Sequence, residues 1–383
     1  MALHFEVDEY QSRIAATVAM LGARGLDGLL MFRQESMYYL TGYDTFGFCF
    51  FQCLYLGLDG KLILLTRAPD LRQAQNTSII DDIRIWVDRS GAAPSDDLKD
   101  ILSARGCAGQ RLGVEYDAYG LNAKSGMVLN ATLDGFCHLE DASDLVSHLR
   151  MVKSPAELAY VRRAGELADD AWNQALETTA PGAHEGDILA AMQGAVFRGG
   201  GDYAGNEFII GSGGDALLCR YFTGRKTLQP HDQLTLEFAG AYRHYHACMM
   251  RTIVVGEPSP HQIHMYAAAA EALDASKAAL KVGRPIGEVF DAHAKVMDAA
   301  GLHHARLNAC GYSLGAVFAP IWMDTPMFYH GQPVIAAPGM VFFLHMILMD
   351  SDANAAMTLG ETVIVTDDGH ERLSSAALDM TVR

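Results

Sequence analysis

The stretch LTLEFAGAYRHYHACMMRTIVVGEP (234–258) reads as a β-hairpin, with strands at 232–240 and 246–256 and a glutamate in the middle of the first. Glu237 is the residue this reading must explain. A carboxylate inside an apolar strand costs several kcal/mol, on the order of 2–5, unless something compensates it. It therefore has a partner, with Arg251 or Arg220 as the available cations, or a chemical task. Buried acids with shifted proton affinity cluster at functional sites. The return strand adds His244, His246 and Cys248, which alternate and are expected on one face. His246 is a candidate proton shuttle, because an unperturbed imidazole titrates near neutrality. Cys248 is either a small packing residue or a nucleophile whose thiol is activated by a neighbouring cation. A single zinc held by His244, His246, Cys248 and Glu237 is a further possibility of the same spacing.

The rest of the chain places this hairpin. In the first third, helix and strand signals alternate. Residues 9–24 are amphipathic, 25–32 and 111–117 are apolar runs, and 53–66 is two runs joined by Asp59-Gly60, a strong hairpin signal. This predicts an α/β domain with a mixed sheet over 1–150. At Ser154-Pro155-Ala156-Glu157 a helix begins, with a capping serine, a proline at the first position and a glutamate that closes the capping box. Helices over 155–179, 184–198, 259–281 and 286–300 are then set against strands near 206–211, 232–240, 246–256, 340–348 and 358–366. That pattern predicts an α+β domain over 151–383.

Composition narrows the function. With 383 residues the chain is long enough for two domains and a large core. A net charge of −17 with no basic cluster argues against nucleic acid and anionic membranes as partners. No apolar run approaches the roughly 18 residues of a membrane span. The acidic N-terminus lacks the pattern of a secretory signal, and seven dispersed cysteines fit reduced thiols. A cytoplasmic location is expected. The glycines at 199–201 and 211–214 lack the strand–GxxxxGK–helix context of a phosphate loop and read as turns.

Several phrases together, KSPAELAYVRRAGELAD, FIIGSGGDALLCRYF, the hairpin, GYSLG, PGMVFF and GETVIVTDDG, resemble the pita-bread fold of the creatinase/prolidase/methionine aminopeptidase superfamily. The resemblance covers 150–370, and the first domain resembles the creatinase N-terminal domain. It implies that Glu237, Cys248, Tyr312, His345 and Gly360 stand where metal-dependent members carry Asp, Asp, His, Glu and Glu. Arg220 stands where those members carry a catalytic histidine. Glu361, one residue past the last ligand position, is a possible substitute for it. Only one of the five positions keeps a carboxylate, whereas a dinuclear site needs several converging on one point. The hairpin and GYSLGAVFAPIWMD look most like the metal-free creatinase and ectoine hydrolase members.

This resemblance implies a metal-independent hydrolase, with no cofactor, that opens a C–N bond in a small zwitterionic amidine or guanidino solute. Such a solute carries an electrophilic carbon and a cation that offsets a buried carboxylate. Glu237 is then the nucleophile or general base. His246, His345 and Glu361 complete the expected catalytic set. Arg220 is placed to fork a substrate carboxylate. Tyr312 is a candidate hydrogen-bond donor to developing charge. Trp322, together with Tyr43 and Phe46 of LTGYDTFGF (40–48), offers aromatic faces for a cation. Cys248 completes the expected substrate-binding set. A homodimer whose first domain reaches the neighbouring site is implied by the resemblance alone. The competing readings are a metal-dependent Xaa-Pro peptidase-like enzyme and a pita-bread scaffold that binds without catalysis.

Overall fold

The computed structural model describes residues 3–220 and 224–383. The chain divides into two compact units, Met1–Arg150 and Met151–Arg383.

The first unit contains α1 (Val7–Arg24), β1 (Gly28–Met31), α2 (Gln34–Thr41), β2 (Cys53–Gly57), β3 (Leu62–Arg67), α3 (Leu71–Thr77), β4 (Asp82–Trp86), α4 (Pro94–Ala104), β5 (Arg111–Val114), α5 (Ala123–Leu133), β6 (His138–Asp141) and α6 (Leu145–Arg150). They build one sheet of order β4-β3-β2-β1-β5-β6. It is mixed: β1 runs antiparallel to β2 and parallel to β5. Apolar clusters cover both faces, one around Leu29, Met31 and Leu40, the other around Leu30, Phe32 and Leu112. This explains why β1 is an unbroken apolar run rather than an alternating one. The Asp59-Gly60 turn joins β2 to β3 with Gly60 in the left-handed region, at φ 75°. Glu115 is buried here, but structure consumes its charge. It accepts hydrogen bonds from Ser36 Oγ and from the backbone N–H groups of Phe32 and Arg33, just ahead of α2.

The second unit contains α7 (Pro155–Thr178), α8 (Glu185–Arg198), β7 (Ile209–Ser212), β8 (Asp232–Tyr242), β9 (Tyr245–Val255), α9 (Pro260–Ala279), α10 (Gly287–Ala299), β10 (Gly311–Ser313), β11 (Asp324–Met327), β12 (Val341–Asp350), β13 (Ala355–Thr366), β14 (Gly369–Arg372) and β15 (Thr381–Val382). Both halves of the capping box at α7 form: Ser154 accepts from Glu157 N, and Glu157 accepts from Ser154 N. The main sheet has the order β11-β10-β12-β13-β9-β8-β7, with β14 on β13 and β15 on β9. Helix α7 packs beside β8 and β9, with α8 against α7 and β7; α9 packs beside β12 and β13, with α10 against α9 in the same apolar cluster.

Alternation along the strands separates the two faces. On β8, Phe238 turns to the helices and stacks on Trp172, at 6.4 Å and 11°. Gly240 lies under α7 so tightly that a Cβ there would stand 1.9 Å from the Ala164 carbonyl oxygen. Glu237, one residue from Phe238, turns to the opposite face. The hairpin closes through a two-residue turn between Tyr242 and Tyr245, with Arg243 at φ 50° and His244 at φ 65°. Two residues with positive φ are what a primed hairpin turn requires. Non-glycine residues adopt that geometry at a cost, and here it is held from outside. His244 stacks on Phe318, and its N–H donates to Asp202.

Candidate active site

Three side chains from three separate segments form a hydrogen-bonded line. The Trp322 indole N–H donates to the Tyr312 oxygen at 2.8 Å, and the Tyr312 O–H donates to Glu237 Oε1 at 3.1 Å. Tyr312 is on β10, Glu237 on β8, and Trp322 in the segment that leads into β11. Asn206 Oδ1 accepts from Trp322 N and fixes that segment. All three side chains are buried, with Trp322 1%, Tyr312 3% and Glu237 8% exposed. Burial pushes the Glu237 carboxyl up from 4.5 to about 7, against the smaller opposing effects of the Tyr312 hydrogen bond and the nearby Arg220 charge. The same burial keeps the Tyr312 hydroxyl protonated far above neutrality. Among the described residues Glu237 Oε2 has no hydrogen-bond partner, and it is not one of the sealed, unpartnered atoms.

His345 reaches the same face from β12, its ring centroid 5.5 Å from that of Tyr312 and 5.5 Å from that of Phe343. Burial drives its imidazole down to about 3, so it is a neutral ring at physiological pH. Its Nδ1 is buried without a partner. Arg220 is exposed and lies near enough to act electrostatically on both Glu237 and His345. Its Nη2 lies 3.8 Å from Met323 Sδ, and it makes no ion pair among the described residues. Cys248 pairs across the hairpin with Ala239, beside Glu237. Burial and the Glu237 charge hold it as a thiol, its proton affinity raised well above the ordinary value.

Several expected members fall outside this cluster. His246 is spent on the backbone: Nε2 accepts from Gly205 N at 2.8 Å, and Nδ1 lies 2.7 Å from the His244 carbonyl oxygen. Fully buried and held down to about 4, it has no nitrogen left to move a proton. Glu361 turns the other way. Gly360 and Glu361 are adjacent on β13 and project to opposite faces, and Glu361 is tied to Lys277 of α9 and to Arg372. Arg251 is on that far face too, with Nη1 donating to the Gly360 and Met250 carbonyls, so it is no partner for Glu237. Trp322 is sealed and its N–H engaged, so it serves Tyr312 rather than offering an aromatic face. Tyr43 is buried within the first unit, hydrogen-bonded to Thr66 and Gln52, whereas Phe46 is 77% exposed there.

The donor set does not fit a metal. Among the described residues no group of three or more His, Cys, Asp or Glu side chains could hold an ion. His244 sits in the turn rather than on the strand with His246 and Cys248, which also dissolves the single-zinc arrangement. Gly360 has no room for a ligand: a Cβ there would stand 2.9 Å from the Phe343 ring and 3.0 Å from the Leu344 carbonyl oxygen. Phe343 fills the space that a carboxylate at this fifth ligand position would need.

A separate cleft of about 380 Å³ opens between Phe197, Tyr203, Phe208 and Pro320. Glu237 does not line it. Its wall includes Gly205 and Asn206, the two residues that hold His246 and Trp322.

Residues 159–367 match metallopeptidase family M24, and residues 13–152 match the creatinase/prolidase N-terminal domain. The chain belongs to family M24. It is 28% identical to the ectoine hydrolase of Halomonas elongata, over all of this chain and 99% of that protein. It is 23% identical to the Xaa-Pro dipeptidase of Pyrococcus furiosus, over 62% of this chain and 67% of that one. A prolidase from Thermococcus sibiricus shares the fold with a TM-score of 0.88 at 20% identity, over 98% of this chain and 99% of that chain. The pita-bread domain and its creatinase-like first domain are thus as the sequence phrases imply. No helix among the described residues is long and apolar enough to cross a membrane.

Proposed function

We propose that this protein is a hydrolase that opens a C–N bond in a small zwitterionic solute carrying an amidine or guanidino group, without a metal. The observation that carries the reading is Glu237. It is a buried carboxyl poised near pH 7, with one oxygen held by Tyr312 and the other unpartnered. Near neutrality a large share of it is ionised, and it is basic enough to take a proton. The carboxylate attacks the amidinium carbon, or takes a proton from the water that does. The departing nitrogen leaves with a proton, and the net change is addition of one water and loss of one C–N bond.

Tyr312 steadies the carboxylate, and His345 presents a neutral ring beside it. Arg220, charged and unpaired among the described residues, suits the carboxylate end of such a solute. The full-length similarity to an ectoine hydrolase supports this class of substrate over an Xaa-Pro peptide. The clash at Gly360 supports a reaction that does not depend on a dinuclear centre. A homodimer in the cytoplasm completes the proposal, with the neighbour's Phe46 loop contributing to each site.

The experiment is the substitution Glu237→Gln, which keeps the shape and the acceptor for Tyr312 but is neither base nor nucleophile. Turnover of ectoine should fall by at least about 10²–10⁴-fold, with KM little changed. Normal turnover by the variant would remove Glu237 from the chemistry.

A further inference from the structure

We infer that Trp322 is a positioning residue: by donating to Tyr312 it fixes the direction of the Tyr312–Glu237 hydrogen bond and leaves Oε2 as the one oxygen of Glu237 free to react. The inference rests on the reading of Glu237 as the reactive carboxyl and adds to it which atom reacts and what selects that atom.

Donors and acceptors fix the direction of the line. An indole nitrogen can only donate, and a phenol has one hydrogen. With Trp322 Nε1 at 2.8 Å, the Tyr312 oxygen is an acceptor on that side. Its single hydrogen is therefore directed to its other partner, Glu237 Oε1 at 3.1 Å. Oε1 then accepts a hydrogen bond whether Glu237 is ionised or neutral. When Glu237 is neutral, its own proton has only Oε2 to occupy. Oε2 is also the atom with no protein partner among the described residues. The proton that leaves and returns, and the lone pair that attacks, are thus on one defined atom.

The line does not turn around while Trp322 stays in place, and Asn206 anchors its backbone. Burial of all three side chains strengthens each bond and makes each donate better to the next. Without the indole N–H, the Tyr312 oxygen could accept from a protonated Oε1. Glu237 would then have two interchangeable oxygens and a more stable neutral form.

The test replaces the N–H without removing the ring. The sulfur isostere of tryptophan, benzothienylalanine, is placed at position 322 by amber suppression, beside Trp322→Phe and Tyr312→Phe. Carbon-13 NMR of labelled glutamate follows the titration of Glu237, assigned by the signal missing in Glu237→Gln, and the acidic limb of kcat/KM is recorded in parallel. Tyr312→Phe should raise the Glu237 midpoint by about one pH unit, the worth of one hydrogen bond to a charged group. The isostere should raise it in the same direction by a smaller step, and the acidic limb of the rate profile should move with it. If Trp322→Phe loses its fold, the isostere alone carries the comparison. An unchanged Glu237 midpoint with the isostere would reduce Trp322 to packing and overturn the inference. Normal turnover by Glu237→Gln would instead sink the functional reading, while the NMR titration would still decide the direction of the bond.

Discussion

Glu237 pays for its place with stability, and the direction of that cost is testable. Its carboxyl titrates near 4.5 in the unfolded chain and near 7 in the folded one. The folded state therefore holds the proton more tightly. The favourable contribution is complete below pH 4.5 and is lost as the pH rises to about 7. Above that, the buried charge costs about 3 kcal/mol. Glu237→Gln should raise the melting temperature at pH 8 and leave it nearly unchanged at pH 4.5; a scan in which the gain is larger at pH 4.5 would contradict the assigned shift. On the proposed reading, Arg220 acts on the substrate rather than on the fold. Arg220→Ala should weaken binding of the free acid about tenfold by calorimetry, the worth of one charge-assisted contact at an exposed site, and leave its ester unaffected. Equal loss for acid and ester would remove Arg220 from carboxylate recognition.

At the scale of elements, the hairpin and its neighbours show what patterning can and cannot reveal. The bounds of β8, β9 and α7 follow from apolar runs and the Ser154/Glu157 box, both local signals. The short strands β10 and β11 carry no such signal, yet β10 delivers Tyr312. Glu361 was decidable from the sequence: if position 360 faces the site, position 361 faces the helices, because strand side chains alternate. The turn position of His244 follows from the even pairing of Tyr242 with Tyr245 in the same way. The line from Trp322 through Tyr312 to Glu237 was not legible, since it depends on side chains 10 and 75 residues apart meeting in space.

Gly360→Glu, which would restore the carboxylate that metal-dependent members carry there, should lower stability by more than about 1–3 kcal/mol through collision with Phe343 and should create no metal site. Stoichiometric metal binding by that variant, measured by elemental analysis, would show that the strand can accommodate the old ligand. His293 on α10 and His345 on β12 are buried, each with an unpartnered Nδ1, and are held down to about 4 and about 3. The stability each contributes is full above the unfolded value of 6.5 and is lost as the pH falls from there toward the folded value. His293→Gln should therefore lose less stability between pH 7 and pH 5 than the parent chain, by urea unfolding at each pH. An equal or steeper loss would reject the assignment.

At the scale of the whole molecule, the family's architecture is kept, and in the proposed reading the chemistry of its metal cradle is replaced. A carboxylate remains at one of five ligand positions, a tyrosine and a histidine flank it, and an aromatic ring fills the space beside a glycine. If neighbouring chains share sites as proposed, mixing Glu237→Gln chains with Phe46→Ala chains should recover part of the activity, because a mixed dimer has one site free of both defects. No recovery after verified subunit exchange would place each site within one chain. The most direct test of the central claim is the turnover of ectoine after exhaustive dialysis against chelator, with the metal content of the same sample measured. The expected result is that kcat is retained with far less than one metal per chain. Loss of turnover that a divalent metal restores stoichiometrically would contradict it.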